Sequence, residues 1–282
     1  MLLQKSNPAI TVHGSLHHNL SEAAAYRLAA GVMKVRRDAN PRRQHAVTFT
    51  HLGKLNPIEA THIDDMASCF ATLANETSNC DSPCILGLAE SGIIPSFAMH
   101  RASLANGRCS RWFCTSRNDQ GGLKFCEPHS HAPHHFIPPE LFSLEIEELW
   151  IVEDEITTGY TLNNLLQCIR RNPRILRTRV FTILDTRDAT EPATVQSILK
   201  IGSEFWRTDD FDAIPGHFYE GPRQLVAGES IARALPSLMC GDLPRLQHVT
   251  LSPWMIDGRH ILSRRELMPG YFLYNDWDCS GV

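Results

Sequence analysis

The sequence lacks a long apolar run, since none of its segments approaches the ~20 consecutive apolar residues that a membrane-spanning helix requires. It also lacks an excess of basic residues, because 27 Lys and Arg stand against 31 Asp and Glu in 282 residues. This balance excludes a general nucleic-acid binder. The first residues have no apolar core followed by a small-residue cleavage site, so we expect no signal peptide and no membrane partner.

The nine cysteines lack the arrangement of a disulfide framework or a metal knuckle. Their number is odd, and no two of them form a C-x-x-C pair. Together with the expected absence of a signal peptide, this usage predicts reduced thiols and a cytoplasmic protein.

Apolar patterning predicts strands and helices that alternate from about residue 45 to 200. This alternation is typical of an α/β fold, in which a parallel sheet is covered on both faces by helices. The predicted strands are 45–52, 84–92 (which runs into a Ser-Gly turn), 111–116, 148–154 and 178–185. The predicted helices are 21–35, one after Pro57, 94–105 and 162–171.

The remaining segments have no clear periodicity. Residues 117–140 are rich in Gly, Pro and His and are predicted to form a long functional loop. We divide the chain into an N-terminal extension (1–44), a central domain (45–204) and a small C-terminal region (205–282).

One stretch, LWIVEDEITTGYTLNNLL at residues 149–166, combines features that favour opposite ligands. Three consecutive acids, Glu153, Asp154 and Glu155, precede a hydroxyl-rich turn and a predicted helix. Amides and hydroxyls at the start of a helix bind anions, whereas carboxylates repel them. A pentose 5-phosphate satisfies both, with its phosphate at the turn and its hydroxyls on the carboxylates. The chain has neither a Gly-Lys-Ser/Thr P-loop nor a G-x-G-x-x-G, so a nucleoside triphosphate fits less well.

The segment WIVEDEITTGYTL resembles the phosphoribosyl pyrophosphate (PRPP) loop of type I phosphoribosyltransferases. Glu153, where most members have Asp, and the additional Glu155 resemble the subgroup found in tellurium-resistance-type operons, which carries a C-terminal region called TRSP. Residues 40–58, 87–93, 125–135, 225–230 and 271–275 agree with the same subgroup. VTLSP at 249–253 departs from the Thr-Thr-Arg-Ser-Pro segment of that region because it lacks the Arg.

The resemblance implies a type I phosphoribosyltransferase fold, with a parallel sheet and a small C-terminal domain, and a role for each residue of this loop. Glu153 and Asp154 would hold the ribose hydroxyls, and Asp154 would also contact Mg²⁺, the expected cofactor. The turn would surround the 5-phosphate. The PRPP-binding residues implied in this loop are Glu153, Asp154, Glu155, Ile156, Thr157, Thr158, Gly159, Tyr160 and Thr161.

A second group of residues would hold the pyrophosphate of PRPP. The resemblance implies that Glu90, Ser91 and Gly92, in the turn after a predicted strand, form a pyrophosphate loop built on backbone amides. Lys54 and Arg117 stand at predicted strand ends and would supply cations, and Arg117 is also a candidate catalytic residue. Taken alone, each of these cations could equally be a solvated surface residue.

The predicted loop contains five potential metal ligands within ten residues: Cys126, His129, His131, His134 and His135. Their spacing is compatible with zinc. In type I relatives, however, a long loop closes over PRPP, and the resemblance implies that His129 and His131 act there as catalytic proton donors. Zinc binding and a plain surface loop are the alternatives.

The predicted function is Mg²⁺-dependent transfer of a phosphoribosyl group between PRPP and a nucleobase-like small molecule, in either direction. The product would be a nucleoside-like metabolite, and we expect a homodimer that binds no nucleic acid. The alternative is a regulator that senses PRPP without catalysis.

Overall fold

The computed structural model describes residues 9–18, 21–36, 45–52, 58–117, 121–126, 134–187 and 195–207. The strands in chain order are β1 (Ile10–Val12), β2 (Val32–Arg36), β3 (His45–Phe49), β4 (Cys84–Gly87), β5 (Arg111–Cys114), β6 (Leu123–Cys126), β7 (His134–Ile137), β8 (Ile146–Ile156), β9 (Ile175–Asp185) and β10 (Val195–Ile201). The helices are α1 (Ser21–Ala29), α2 (Ala60–Thr77), α3 (Ile93–Ala105), α4 (Pro139–Ser143), α5 (Tyr160–Ile169) and α6 (Glu204–Arg207), with 3-10 turns at Gly14–His18 and Thr50–Leu52.

The centre of the fold is a six-stranded sheet in the order β1-β10-β9-β8-β4-β5. Strand β1 runs antiparallel to β10, and every other neighbouring pair in this sheet is parallel. The prediction of an α/β fold with a mostly parallel sheet is therefore confirmed.

The two faces of the sheet bury separate apolar clusters because successive side chains of a strand point to opposite faces. From β8, Trp150 and Val152 join the cluster that contains Phe70 and Leu73 of α2. Leu149 and Ile151 join the other cluster, which contains Leu165 of α5. Helices thus cover both faces, and no described helix is long and apolar enough to cross a membrane.

The prediction of one helix over residues 21–35 is wrong at its end. Helix α1 stops at Ala29, and Val32–Arg36 pairs antiparallel with β3 in a separate two-stranded sheet. The β-branched Val32 and Val35 are buried there, a position that suits β-branched side chains. Pairing with β3 overrides the helical preference of the alanines before this segment.

The predicted loop 117–140 is also more regular than its composition indicates. Strands β6 and β7 pair antiparallel within it, and α4 begins at Pro139. Phe125, Phe136 and Ile137 are buried, so apolar contacts hold both arms of this hairpin against the core. Of the predicted C-terminal region, only residues 205–207 belong to the described part, so the domain division remains a prediction.

Glu148 anchors the amino-terminal part of β8, far from the strand's acidic end. Its carboxylate is 1% exposed and accepts hydrogen bonds from Ser78 Oγ (2.5 Å), Trp150 Nε1 (2.9 Å) and Arg179 Nε (3.0 Å). Arg177 Nε lies 3.1 Å from it. Burial alone would raise the pKa of Glu148, but the hydrogen bonds from Arg179, Ser78 and Trp150 outweigh burial and lower the pKa to about 2.

We predict that Glu148→Gln destabilises the fold by about 3 kcal/mol at pH 7, because the neutral amide loses the stabilisation that Arg177 and Arg179 give the buried carboxylate. A lowered pKa in the folded state stabilises the protein above the unfolded pKa of 4.5, and this stabilisation is lost as the pH falls toward 2. The difference in the free energy of unfolding between wild type and Glu148→Gln, measured in urea, should therefore decrease by about 1 kcal/mol between pH 7 and pH 4. The control is Glu145→Gln, since Glu145 is largely exposed in its pair with Arg174. A difference in unfolding free energy that does not change with pH would contradict the lowered pKa of Glu148.

Candidate active site

The carboxyl ends of β5, β4, β8 and β9 meet at one edge of the sheet. Gly87, the last residue of β4, pairs with Cys114 of β5 on one side and with Val152 of β8 on the other. On β9, Asp185 pairs with Ile156 at the end of β8. The segments after these strands therefore lie side by side, which is where ligands bind in open parallel sheets.

The turn between β8 and α5 ends at Gly159, which has a left-handed backbone with φ of 71°. The N–H of Tyr160 donates to Thr158 Oγ1 (3.3 Å), and the N–H of Asn163 donates to the carbonyl of Gly159 (2.9 Å). An added Cβ on Gly159 would meet no atom closer than 3.9 Å, so glycine is required by the positive φ rather than by crowding within the protein. The turn presents the start of α5, an anion-binding position.

Asp154 has an uncommitted carboxylate at this edge. Its main-chain N–H donates to Glu153 Oε1 (3.0 Å), and its carbonyl accepts from Thr182 Oγ1 (3.1 Å). Its side chain is half-buried and forms no hydrogen bond or ion pair with any residue that the structure describes. The main chain of Asp154 is thus held in position, and no described residue occupies its carboxylate.

The turn between β4 and α3 contains the second predicted loop. The Ala89–Glu90 peptide bond is cis, and the N–H of Ala89 donates to the buried Thr115 Oγ1 (2.8 Å). Gly92 lies so close to β8 that a Cβ there would be 2.7 Å from the carbonyl oxygen of Val152. Only glycine allows this approach, which brings Glu90, Ser91 and Gly92 next to the acidic end of β8.

Arg117 follows β5 at the same edge and is half-buried. It comes directly after Ser116, which exchanges two backbone hydrogen bonds with Phe136 (2.9 and 2.8 Å). The hairpin is fixed to α5 as well, since Asn164 Nδ2 donates to the carbonyl of Cys126 (2.8 Å). The hairpin of β6 and β7 is therefore attached both to the segment after β5 and to α5.

The potential metal ligands on β6 and β7 do not all lie on one face of the hairpin, because successive side chains of a strand point to opposite faces. Cys126 Sγ lies 3.7 Å from His134 Nδ1, and both residues are exposed. His135 points inward, where it stacks on Phe125 and lies 3.3 Å from Thr115 Oγ1. It cannot join Cys126 and His134 in one metal site, and the described residues contain no group of three potential metal ligands.

Asp185 and Arg187, at the end of β9, are neighbours of the site that the sequence reasoning missed. An added Cβ on Gly159 would lie 3.9 Å from Cδ of Arg187, so this side chain is adjacent to the predicted phosphate turn. The available signal was a charged pair, Asp185 and Arg187, at the carboxyl end of the predicted strand 178–185. Lys54, His129 and His131 lie outside the described residues.

Comparison with solved structures finds purine phosphoribosyltransferases of low sequence identity. Adenine phosphoribosyltransferase of Rhodothermus marinus is 13% identical with a TM-score of 0.45, covering 64% of this chain and 99% of that chain. The Trypanosoma brucei enzyme, in complex with AMP, pyrophosphate and ribose-5-phosphate, is 11% identical with a TM-score of 0.47, covering 74% and 91%. Hypoxanthine phosphoribosyltransferase of Trypanosoma cruzi is 17% identical with a TM-score of 0.34, covering 51% and 77%.

A search of curated proteins finds no match to the sequence. The family model described as "Phosphoribosyl transferase" matches residues 32–204, which is more than half of the chain and includes β2 through the start of α6. The matched residues contain every described segment of the edge, from the turn after β4 to Arg187. The chain therefore belongs to the phosphoribosyl transferase family.

Proposed function

We propose that this protein binds PRPP at the carboxyl edge of its sheet and transfers the phosphoribosyl group to a nucleobase-like acceptor. The observation that carries the proposal is the pairing of an open Asp154 carboxylate with the glycine-containing turn at the start of α5. A carboxylate can accept hydrogen bonds from ribose hydroxyls, while the amides of the turn bind the 5-phosphate. Four residues separate Asp154 from Gly159 on one continuous segment. This spacing fits a pentose 5-phosphate, whose hydroxyls and phosphate are close together.

In the proposed reaction, the bond between C1 of ribose and the pyrophosphate oxygen breaks, and a bond from C1 to an acceptor nitrogen forms. The proton that this nitrogen loses passes to the departing pyrophosphate. The main-chain amides of Glu90, Ser91 and Gly92 and the side chain of Arg117 stabilise the negative charge that develops on the pyrophosphate. Lys54 adds a further cation. The protein thus contributes position and charge, with Glu153 and Asp154 fixing the ribose ring.

The residues of the edge also fit Mg²⁺, which binds through few carboxylates and retains much of its water. Asp154 offers the uncommitted carboxylate for this role, whereas Glu153 already accepts the N–H of Asp154. When bound, the ion would offset the charge of the pyrophosphate oxygens.

We further propose that His129 and His131, which lie between β6 and β7 in sequence, donate protons to the reaction, because both of these strands are anchored beside the site. From the resemblance of motifs along the chain, we propose that the protein belongs to the tellurium-resistance-operon subgroup with a TRSP region and forms a nucleoside-like metabolite. We propose a cytoplasmic homodimer without a nucleic-acid partner.

Replacing Asp154 tests the ribose contact. Asp154→Asn should weaken PRPP binding more than about tenfold, because hydrogen bonds to a charged acceptor contribute ~1.5–3 kcal/mol. Titration calorimetry of PRPP with Mg²⁺ measures the effect. The control is Asp64→Asn, since Asp64 is an exposed carboxylate on α2 that pairs with Arg101. Equal PRPP affinity in wild type and Asp154→Asn would remove Asp154 from the site.

Replacing Gly159 tests the phosphate turn. Gly159→Val should cost about 1–2 kcal/mol in stability, because valine does not fit a positive φ, and it should weaken PRPP binding at least about tenfold. Gly159→Asn should retain more affinity, since asparagine tolerates this conformation.

The control for this pair of variants is Gly107→Val. Gly107 has a φ of 77° with no atom near its Cβ position, but it follows α3 at the opposite edge of the sheet. This variant should lose similar stability and keep wild-type PRPP affinity. If Gly159→Val binds PRPP like wild type, the turn is not the phosphate site.

A further inference from the structure

Arg187 lies beside the turn that follows β8, although 27 residues separate it from Gly159 in sequence. The N–H of Thr186 donates to the carbonyl of Ile156 (3.0 Å), which joins the end of β9 to the end of β8. In the next residue, Arg187, Cδ lies 3.9 Å from the position that a Cβ of Gly159 would occupy. A guanidinium therefore stands next to the proposed phosphate site.

Asp185 holds this guanidinium in a fixed orientation. Its carboxylate is 5% exposed and accepts Nε of Arg187 (3.0 Å), Nη2 of Arg187 (3.2 Å) and Nζ of Lys200 (3.3 Å). Burial alone would raise the pKa of Asp185, but the hydrogen bonds from Arg187 and the charges of Arg187 and Lys200 lower it below its ordinary value. Asp185 is thus ionised at neutral pH, and the three side chains carry a net positive charge.

Described residues leave one nitrogen of the guanidinium without a hydrogen bond. The side chain of Arg187 is only 13% exposed, and its hydrogen bonds to described residues come from its main-chain N–H, Nε and Nη2. Nη1 makes no hydrogen bond within the described ranges. A guanidinium that is oriented by a carboxylate on one side is prepared to bind phosphate oxygens on the other.

We infer that Arg187, oriented by Asp185 and supported by the charge of Lys200, binds the 5-phosphate of PRPP from the β9 side of the turn. This inference rests on the proposed function. It supplies a cation where three acids, Glu153 to Glu155, would otherwise repel the phosphate. Asp185 acts through Arg187 and is a positioning residue.

Separate titration of the two ends of PRPP tests the inference on the full chain. Calorimetry with ribose 5-phosphate and with Mg²⁺–pyrophosphate compares wild type, Arg187→Ala, Arg187→Lys and Asp185→Asn. Arg187→Ala should weaken ribose 5-phosphate binding at least about tenfold and leave pyrophosphate binding within about twofold. Arg187→Lys should recover part of the loss, because lysine supplies charge without the oriented fork. Asp185→Asn should also weaken ribose 5-phosphate binding selectively.

The control is Arg171→Ala, since Arg171 is an exposed arginine just beyond the far end of α5, and both ligands should bind to it as to wild type. Arg187→Gln replaces Arg187→Ala if the latter fails to fold by circular dichroism. Unchanged ribose 5-phosphate affinity, or equal losses for both ligands, overturns the inference and leaves the proposed function standing. A wild-type protein that binds neither PRPP nor ribose 5-phosphate overturns both.

Discussion

The hydrogen-bonded register of β8 between β4 and β9 is the constraint on which the site depends. A shift of one residue would exchange Trp150 and Leu149 between the two apolar clusters, so burial strongly specifies the register. The same register places the end of β4 beside Val152 and the end of β9 beside Ile156. At the other end of the strand, Glu148 ties β8 to Arg179 of β9. Core packing thus determines which loops meet at the edge.

The electrostatics of the edge follow from this arrangement. Acids at the end of β8 suit hydroxyl donors and a divalent cation, and they would disfavour a phosphate that had no compensating charge. The start of α5 and the Asp185–Arg187–Lys200 cluster provide that compensation on the other side of the turn. Neighbouring segments therefore provide carboxylates for hydroxyl donors and positive charge for a phosphate. A ligand with hydroxyls at one end and a phosphate at the other fits between them.

Much of this site could be predicted from local patterns, whereas the features that depend on strand pairing could not. The acids, the hydroxyl-rich turn and α5 lie on one continuous stretch, so sequence indicated both their chemistry and their order. Strand β2 and the hairpin of β6 and β7 escaped prediction because their strands are stabilised by partners and burial rather than by composition. Arg187 was missed for a similar reason, since only the pairing of β8 with β9 brings it to Gly159.

The central claim is that the protein uses PRPP as a substrate rather than as a signal. The most direct measurement is pyrophosphate release when the full chain is incubated with PRPP and Mg²⁺ in the presence of a panel of nucleobases and aromatic acids. The account predicts that PRPP binds and that at least one acceptor induces pyrophosphate release, with the acceptor and the phosphoribosyl group recovered as one product. Binding of PRPP without acceptor-dependent release of pyrophosphate would contradict it and would identify the protein as a PRPP sensor.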